Sequence, residues 1–257
     1  MHVLFIGDIF STSGVKATVK FLQQVNGDYD FIIVNGENSA PSGRGITRKA
    51  FDALRKAGAD VVTLGNHSFD HRDGVELVEE TNRIIRPANY PAGAPGFGWA
   101  IHPAKNGTRV AVMQVLGQVF TEPVTDPFVA IDHVLNELPD DMPLFVDVHA
   151  EATSEKKLLF YHSIGRASAL LGTHTHVPTA DATVVGGTAY ITDVGMSGVQ
   201  HSAIGLGFEE VYERVRTKLR PWGKPATGPV TVNAVAITLD GRAATSIERV
   251  VWMAPGE

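Results

Sequence analysis

Side chains able to ligate a metal ion or to transfer a proton follow short apolar runs at five places in this sequence. These places are Gly7-Asp8, Asn35-Gly36-Glu37-Asn38, Gly65-Asn66-His67, Asp147-Val148-His149 and Gly172-Thr173-His174-Thr175-His176. Imidazole suits zinc, iron, nickel and copper, and oxygen ligands extend that range to manganese. His174 and His176 are two residues apart, so an extended backbone would turn both rings to the same side. The residue types therefore predict a metal site with nitrogen and oxygen ligands.

Each segment also has a simpler explanation when it is taken alone. A Gly-Asp pair is a common turn, and Glu37 and Asn38 would suit a solvated loop. His149 would serve as a half-buried hydrogen-bond partner, and the Thr-His-Thr-His segment as a polar loop. Five such explanations must hold independently, whereas one metal site explains all five segments. We therefore favour a site for two divalent cations, about 3.5 to 4 Å apart, around a shared carboxylate.

The predicted elements would bring these segments to one edge of a sheet. Brief runs rich in β-branched and aromatic residues predict strands over 3–6, 31–34, 61–64, 110–115, 144–148 and 169–171. Apolar residues at helical spacing predict helices over 15–25, 47–57, 74–85, 127–138, 154–164 and 208–219. In sheets of this type the carboxyl ends of neighbouring strands open into one crevice. We therefore expect the five polar segments at a common rim.

Local signals predict several element ends. Thr47 and Ser154 are predicted N-caps, and Gly58 is a predicted C-cap. After residue 181 the pattern changes to strands over 183–185, 188–192, 230–239 and 244–251, with Gly186-Gly187 and Asp240-Gly241 as hairpin turns. No stretch is rich enough in Pro, Gly or Ser to indicate a linker, so we predict one domain over residues 1–257.

Residues 86–99 predict a long loop that carries Tyr90, Phe97 and Trp99. Long loops in compact domains often carry function. An aromatic ring here could stack on a nucleobase, although aromatic residues more often pack in a core. Both interpretations stay open from the sequence.

The composition excludes several classes of protein. Of 257 residues, 44% are apolar and 19% charged, so the chain can bury a core and is not of the disordered class. The absence of Cys removes disulfides, thiolate ligands and Cys nucleophiles. A net charge of -6 argues against binding to duplex DNA or anionic lipid.

The apolar runs bear on location and assembly. The apolar start is too short for a signal peptide, and no run approaches the roughly 20 residues of a membrane span. We therefore expect a cytoplasmic protein with no membrane partner. Whether copies of the chain form a homo-oligomer stays open.

Taken in order, the five segments resemble the motif series of calcineurin-like metallophosphoesterases, from residue 3 to about residue 200. The stretches Asn-Gly-Glu-Asn and Gly-Thr-His-Thr-His-Val-Pro are similar to those of the YmdB-type bacterial phosphodiesterase family. The superfamily usually has Asp-x-His at the first motif, but the third position here is Phe10, and Glu37 stands where an Asp is usual. The resemblance implies an α/β fold, a metallophosphoesterase-type β-sandwich of two mixed sheets flanked by helices.

The resemblance also implies two metal ions, divalent or of mixed valence, with iron or manganese ahead of zinc. Glu37 would bridge the two ions, and Asn38 would replace the imidazole that position 10 lacks. The remaining ligands would be Asp8, Asn38 and His176 for one ion and Asn66, His149 and His174 for the other.

The implied activity is hydrolysis of a phosphodiester, with cyclic nucleotides, above all 2′,3′-cyclic ones, as small-molecule substrates. A hydroxide held between the two cations would attack phosphorus, and His67 would protonate the leaving alkoxide, since an imidazole can carry a proton near neutral pH. His67 could instead be a further ligand or a structural hydrogen-bond partner. Asp70 could hold the His67 ring, or it could cap a turn together with Asp73.

Three alternative functions stay open from the sequence. Two are hydrolytic: the chain could act on phosphomonoesters or on short oligonucleotides. The third belongs to another class, a metal-dependent nucleotide-sensing protein with little turnover.

Overall fold

The computed structural model describes residues 1–219 and 223–254 of the chain, which contain thirteen strands and six α-helices. Strands β1 to β13 are, in chain order, His2–Ile6, Phe31–Asn35, Val61–Thr63, Ile84–Ile85, Trp99–Pro103, Arg109–Leu116, Leu144–His149, Ala169–Thr173, Thr183–Val185, Thr188–Ile191, Gly198–Val199, Val230–Asp240 and Ala243–Met253. Helices α1 to α6 are Ser11–Val25, Arg48–Ala57, Arg72–Glu80, Pro127–Glu137, Thr153–Ser163 and Phe208–Thr217.

The strands form two sheets. One has the order β11-β12-β1-β2-β3-β4, with β13 also paired to β12, and the other has the order β5-β6-β7-β8-β10-β9. Strands β1 to β4 pair in parallel, whereas β12 runs antiparallel to β1. Strands β6, β7, β8 and β10 also pair in parallel, with β5 and β9 as antiparallel edges. The predicted fold of two mixed sheets flanked by helices is confirmed.

The alternation of side chains along β1 explains how the sheets and helices pack. Val3 and Phe5 share a core with Phe145 of the other sheet. Leu4 and Ile6 belong to a second core, which includes the apolar faces of α1 and α2. Since both faces are covered, apolar residues occupy consecutive positions of the strand. Burying a side chain of this size contributes roughly 1.5–3 kcal/mol.

The strand registers place the polar segments at one end of the sandwich. Asn35 pairs with Thr63 where β2 and β3 end, and His149 pairs with Thr173 where β7 and β8 end. Asn35 Nδ2 also donates a hydrogen bond of 2.9 Å to Asp147 Oδ2. This bond joins the carboxyl end of one sheet to that of the other.

The predicted helix over 74–85 is wrong at its C-terminal end. Helix α3 ends at Glu80, after which Thr81 is extended. Ile84 and Ile85 instead form the short strand β4, fully buried beside β3. Two apolar residues cannot show a period of two, and their spacing from Leu77 also suits a helix, so the pattern alone could not separate the two structures.

Two of the three predicted caps are confirmed. Thr47 Oγ1 accepts a hydrogen bond of 3.1 Å from Ala50 N at the start of α2, and Gly58 ends the helix with a left-handed φ of 116°. Ser154 is not an N-cap, because α5 begins one residue earlier at Thr153. The two predicted hairpins, β9-β10 and β12-β13, are also confirmed.

Other predicted element ends shift by a few residues. Helix α1 begins at Ser11, four residues before the predicted start. Helix α6 ends at Thr217, because Lys218 adopts a left-handed φ of 62°. The predicted loop over 86–99 ends where Trp99 begins strand β5. Of the helices in the described ranges, none combines the length and the apolar character of a membrane span.

Candidate metal centre

The structure brings all seven predicted ligands together at the carboxyl ends of β1, β2, β7 and β8 and in the turn after β3. A chain of close contacts connects them, and most of their side chains are buried. The seven are Asp8, Glu37, Asn38, Asn66, His149, His174 and His176. The rule that polar residues follow the ends of parallel strands therefore located the whole set.

Three side-chain atoms of other predicted ligands lie close to one ring nitrogen of His149 in this cleft. His149 Nε2 lies 3.0 Å from Glu37 Oε1, 3.0 Å from Asn66 Oδ1 and 3.1 Å from His174 Nδ1. Glu37, His149 and His174 also form a cluster whose ligand atoms all lie within 4.8 Å of one another. Because such ligands lie about 2.1 Å from their metal, neighbouring ligands of one ion lie about 3 Å apart. The observed spacing fits a single cation.

Hydrogen bonds behind His149 determine which of its nitrogens faces these three atoms. The Thr173 hydroxyl donates to Asp147 Oδ1 at 2.6 Å, so it accepts from His149 Nδ1 at 2.9 Å. Thr63 Oγ1 and Asn35 Nδ2 donate to the other Asp147 oxygen, at 2.5 and 2.9 Å, which keeps Asp147 an acceptor. Nδ1 therefore carries a hydrogen, and Nε2 is the atom left to bind a cation or a proton.

A second group forms around His176 by the same logic. His176 Nδ1 donates to the Ile204 carbonyl at 3.0 Å, which leaves Nε2 facing the centre. Nε2 lies 3.2 Å from Asn38 Oδ1 and 3.8 Å from Asp8 Oδ1. The Asn38 amide nitrogen donates to Gly43 O at 2.9 Å, so the amide oxygen points inward. Burial raises the pKa of Asp8. These three ligands are more widely spaced than the first four.

The loop that carries His174 and His176 is not extended, so the predicted reason for their common orientation is wrong. Their φ angles are 93° and 66°, in the left-handed region that disfavours residues with a Cβ. Asp193 holds this backbone by accepting from Thr175 N at 3.1 Å and from Thr175 Oγ1 at 2.7 Å. Lys156, fully buried, donates to Asp193 at 2.9 Å. Both rings reach the site because this loop is anchored.

Lys156 and Asp193 are positioning residues that the sequence analysis missed. Asp193 lies two residues after the end of strand β10, and Lys156 lies on the face of α5 that buries Leu159 and Phe160. A lysine on an apolar helix face requires a buried partner, so its position in the sequence could have predicted that Lys156 forms a buried ion pair. Its partner lies 37 residues away and could not be identified from spacing.

His67 lies at the edge of the first group. Its Nδ1 is 2.8 Å from Asp70 Oδ2, and its main-chain N–H donates to Glu37 Oε2 at 2.9 Å. The ring-holding alternative for Asp70 therefore matches the geometry, while Asp73 accepts instead from Arg48 N at 2.8 Å. His67 Nε2 remains on the side of the ring that contacts the Asn66 amide, at 3.4 Å.

Gly65 permits the close approach of these groups. A Cβ at this position would lie 2.2 Å from Glu37 Oε2 and 2.6 Å from His149 Nε2. Such contacts are far shorter than van der Waals distances, so a larger residue would displace the Glu37 carboxylate or the His149 ring.

The electrostatics of the first group are dominated by Glu37 and His149. Burial would raise the pKa of Glu37, but the charges and hydrogen bonds of His149 and His67 together outweigh burial and lower that pKa to about 2. Burial would likewise lower the pKa of His149, but the Glu37 carboxylate raises it to about 9. Burial, and then the charge of His149, lowers the pKa of His174 to about 3. A proton on His149 Nε2 can be shared with only one of its three neighbours, whereas a cation would bind all four atoms.

The aromatic residues of the 86–99 loop differ in exposure. Tyr90 is buried against Phe69, with ring centroids 5.6 Å apart. Trp99 is partly buried against the core under α4 and α5. Phe97 is half exposed. The packing interpretation therefore fits Tyr90 and Trp99.

The chain matches the family model described as YmdB-like protein over residues 4–250. A relative from Bacillus subtilis (strain 168), named 2′,3′-cyclic-nucleotide 2′-phosphodiesterase, is 40% identical over 257 residues, which cover 98% of this chain and 97% of that protein.

Two solved structures show the same fold over nearly their whole length. A hypothetical protein from Thermus thermophilus superposes with a TM-score of 0.94 and 43% identity, covering 99% of this chain and 100% of that one. A protein from Mycoplasma pneumoniae described as a novel phosphatase superposes with a TM-score of 0.92 and 28% identity, covering 98% of this chain and 93% of that one.

Proposed function

This chain belongs to the YmdB-like protein family, and we propose that it is a metal-dependent phosphodiesterase that hydrolyses 2′,3′-cyclic nucleotides. The name of the Bacillus subtilis relative, which aligns with almost the whole chain, supports this substrate class. The observation that carries the proposal is the convergence of Glu37 Oε1, Asn66 Oδ1 and His174 Nδ1 on His149 Nε2, all within 3.1 Å. Atoms of this kind gather closely when a cation binds them.

The residues present fit a pair of divalent cations. Glu37, Asn66, His149 and His174 would hold one cation, and Asp8, Asn38 and His176 the other, with Glu37 shared. When bound, such a pair lowers the pKa of a water molecule and neutralises charge on phosphoryl oxygens. Mixed oxygen and nitrogen ligands accept iron, manganese and zinc.

His67 supplies the proton that the leaving group requires. Hydrolysis of a 2′,3′-cyclic phosphate adds the oxygen of water to phosphorus and breaks one bond from phosphorus to a ribose oxygen. The departing alkoxide takes a proton from His67 Nε2, because Asp70 occupies Nδ1 at 2.8 Å. The Asp70 carboxylate holds the ring in this orientation.

Phosphomonoester hydrolysis is the second candidate, because the Mycoplasma pneumoniae structure is described as a phosphatase. A cation pair can neutralise the charge on the phosphoryl oxygens of a monoester as well as of a diester. The two candidates differ in the charge and the size of the group that the cleft must accept.

A substrate panel separates these functions. Protein loaded with Mn²⁺ is assayed with 2′,3′-cyclic AMP, 3′,5′-cyclic AMP and p-nitrophenyl phosphate, beside chelator-treated protein as the control. We expect the highest kcat/KM for 2′,3′-cyclic AMP and no turnover after chelation. Faster hydrolysis of the monoester would favour the phosphatase, and binding without hydrolysis under any divalent metal would favour a nucleotide sensor.

A further inference from the structure

The loop after strand β6 contacts two of the segments that carry candidate ligands. At its start, Gly117 N donates to the main-chain oxygen of His149 at 3.0 Å. Further on, Glu122 Oε1 lies 2.5 Å from the Tyr90 hydroxyl, which is also 3.2 Å from the Gly65 carbonyl. His149 is a predicted ligand, and Gly65 precedes another. Residues 117–122 therefore connect two sides of the candidate site.

Several hydrogen bonds fix this loop. Glu155 of α5 accepts from Gln118 N at 2.9 Å and from Val119 N at 3.1 Å. The Gln118 amide donates to Val124 O at 3.2 Å. Thr125 N donates to Asn89 O at 2.9 Å at the far end. The loop thus has a defined conformation.

Phe120 lies at the tip of this loop in an unusual state. Its φ is 60°, a left-handed conformation that glycine or asparagine adopts more readily than phenylalanine. Its side chain is 91% exposed, whereas the next most exposed large apolar side chain in the described residues, Leu219, is 65% exposed. The loop that displays this ring contacts His149 through Gly117 and Gly65 through Tyr90, so a strained backbone with an exposed aromatic ring indicates a binding role here.

We propose that the Phe120 ring stacks on the base of the bound nucleotide. This proposal rests on the proposed function. A nucleobase offers a flat π-surface that is not involved in the hydrolysis, and an aromatic side chain binds it without reading its hydrogen-bond edge. Phe120 therefore selects nucleotides over other small phosphodiesters, and it does so with little preference among bases.

Two substrates that differ only in the base test the proposal. They are 2′,3′-cyclic AMP and the 2′,3′-cyclic phosphate of methyl ribofuranoside, assayed with Mn²⁺-loaded protein. We expect Phe120→Ala to raise KM for 2′,3′-cyclic AMP about 5- to 150-fold and to leave the base-free substrate unchanged. Phe120→Tyr should restore the wild-type KM. Tyr161→Ala, which removes a 63% exposed ring from α5, is the matched control and should change neither substrate.

The outcomes distinguish the stacking proposal from the proposed function. An equal loss on both substrates, or no loss on either, would contradict stacking. If the wild-type protein hydrolyses neither compound, calorimetry still measures how tightly each one binds. If wild type binds 2′,3′-cyclic AMP more tightly and Phe120→Ala removes the difference, stacking holds even where hydrolysis fails. Equal binding of both compounds to wild type overturns stacking in every case.

Discussion

Each histidine of the centre has one ring nitrogen engaged by a fixed partner, which leaves the other for a cation. Thr173 engages His149 Nδ1 at 2.9 Å, and the Ile204 carbonyl engages His176 Nδ1 at 3.0 Å. His174 is reversed, since its Nε2 lies 3.1 Å from Glu151 Oε2 and its Nδ1 faces inward. Such outer partners fix the orientation of a ligand.

Replacing His67 should separate a proton donor from a ligand. We expect His67→Ala to retain bound metal but to lower kcat about 10²- to 10⁴-fold, the range for loss of a general acid. Metal content and turnover are measured on the same preparation. Asp70→Asn should give a smaller loss in kcat, because the His67 ring loses the carboxylate that holds it. Release of metal from His67→Ala would show that His67 is a ligand.

Cation binding should displace a proton from His149. The folded pKa of His149 is raised to about 9, so the ring is protonated at pH 7 and a cation must replace that proton. Apparent Mn²⁺ affinity should therefore rise with pH, by up to about tenfold per unit, and level off above pH 9. Calorimetry in buffers of different ionisation enthalpy counts the released protons. An affinity that stays constant from pH 6 to 9 would exclude this exchange.

The sequence predicted which side chains meet but not which atoms they present. The partners that fix His149 and His176 lie 24 and 28 residues away. The sequence could have predicted that Asp147 lies near His149, because it is two residues earlier on the same face of β7. The interposed Thr173 had no such signal.

At the scale of elements, the ligand loop over 173–176 depends on helix α5. Lys156 donates from that helix to Thr173 O at 2.7 Å and to Asp193 Oδ2 at 2.9 Å. Asp193 in turn binds the Thr175 backbone between the two histidines. A buried ion pair thus stabilises the left-handed turns that the loop requires.

Breaking this pair should loosen the ligand loop. We expect Lys156→Met to lower the free energy of unfolding by about 3–5 kcal/mol, because it leaves a buried carboxylate unpaired. Thr175→Val removes only one hydrogen bond to that carboxylate, so it should weaken Mn²⁺ binding while the protein stays folded. Urea unfolding and Mn²⁺ titration give the two readouts.

Lys157→Met is the matched control, since the neighbouring Lys157 is half exposed on the same helix. It should behave as wild type in both measurements. Wild-type Mn²⁺ affinity in both Lys156→Met and Thr175→Val would contradict a positioning role for the pair.

All ten predicted strands are confirmed, whereas the two-residue strand β4 was predicted as part of a helix. The apolar runs of β1, β2 and β7 predict strands correctly, because both faces are buried. The two residues of β4 do not, since their burial depends on β3 and not on local pattern. The left-handed φ of His174 likewise has no local signal, because tertiary hydrogen bonds impose it.

At the scale of the whole molecule, the centre lies between the two sheets. Asp8, Glu37 and Asn66 follow strands of one sheet, whereas His149 and His174 come from strands of the other. The order of the motifs could predict this convergence, because the carboxyl ends of neighbouring parallel strands lie at the same edge of a sheet. The packing of one sheet against the other, which sets the distances of about 3 Å between ligand atoms, is a property of the complete core.

The number of metal ions bound per chain shows whether Glu37 joins two cations. Protein reconstituted with Mn²⁺ is analysed by elemental mass spectrometry, beside Glu37→Gln and the surface control Glu137→Gln. We expect two ions per chain for wild type and Glu137→Gln, and at most one for Glu37→Gln, with turnover almost abolished. One ion per wild-type chain, or two ions with near-normal turnover in Glu37→Gln, would show that Glu37 does not join two cations.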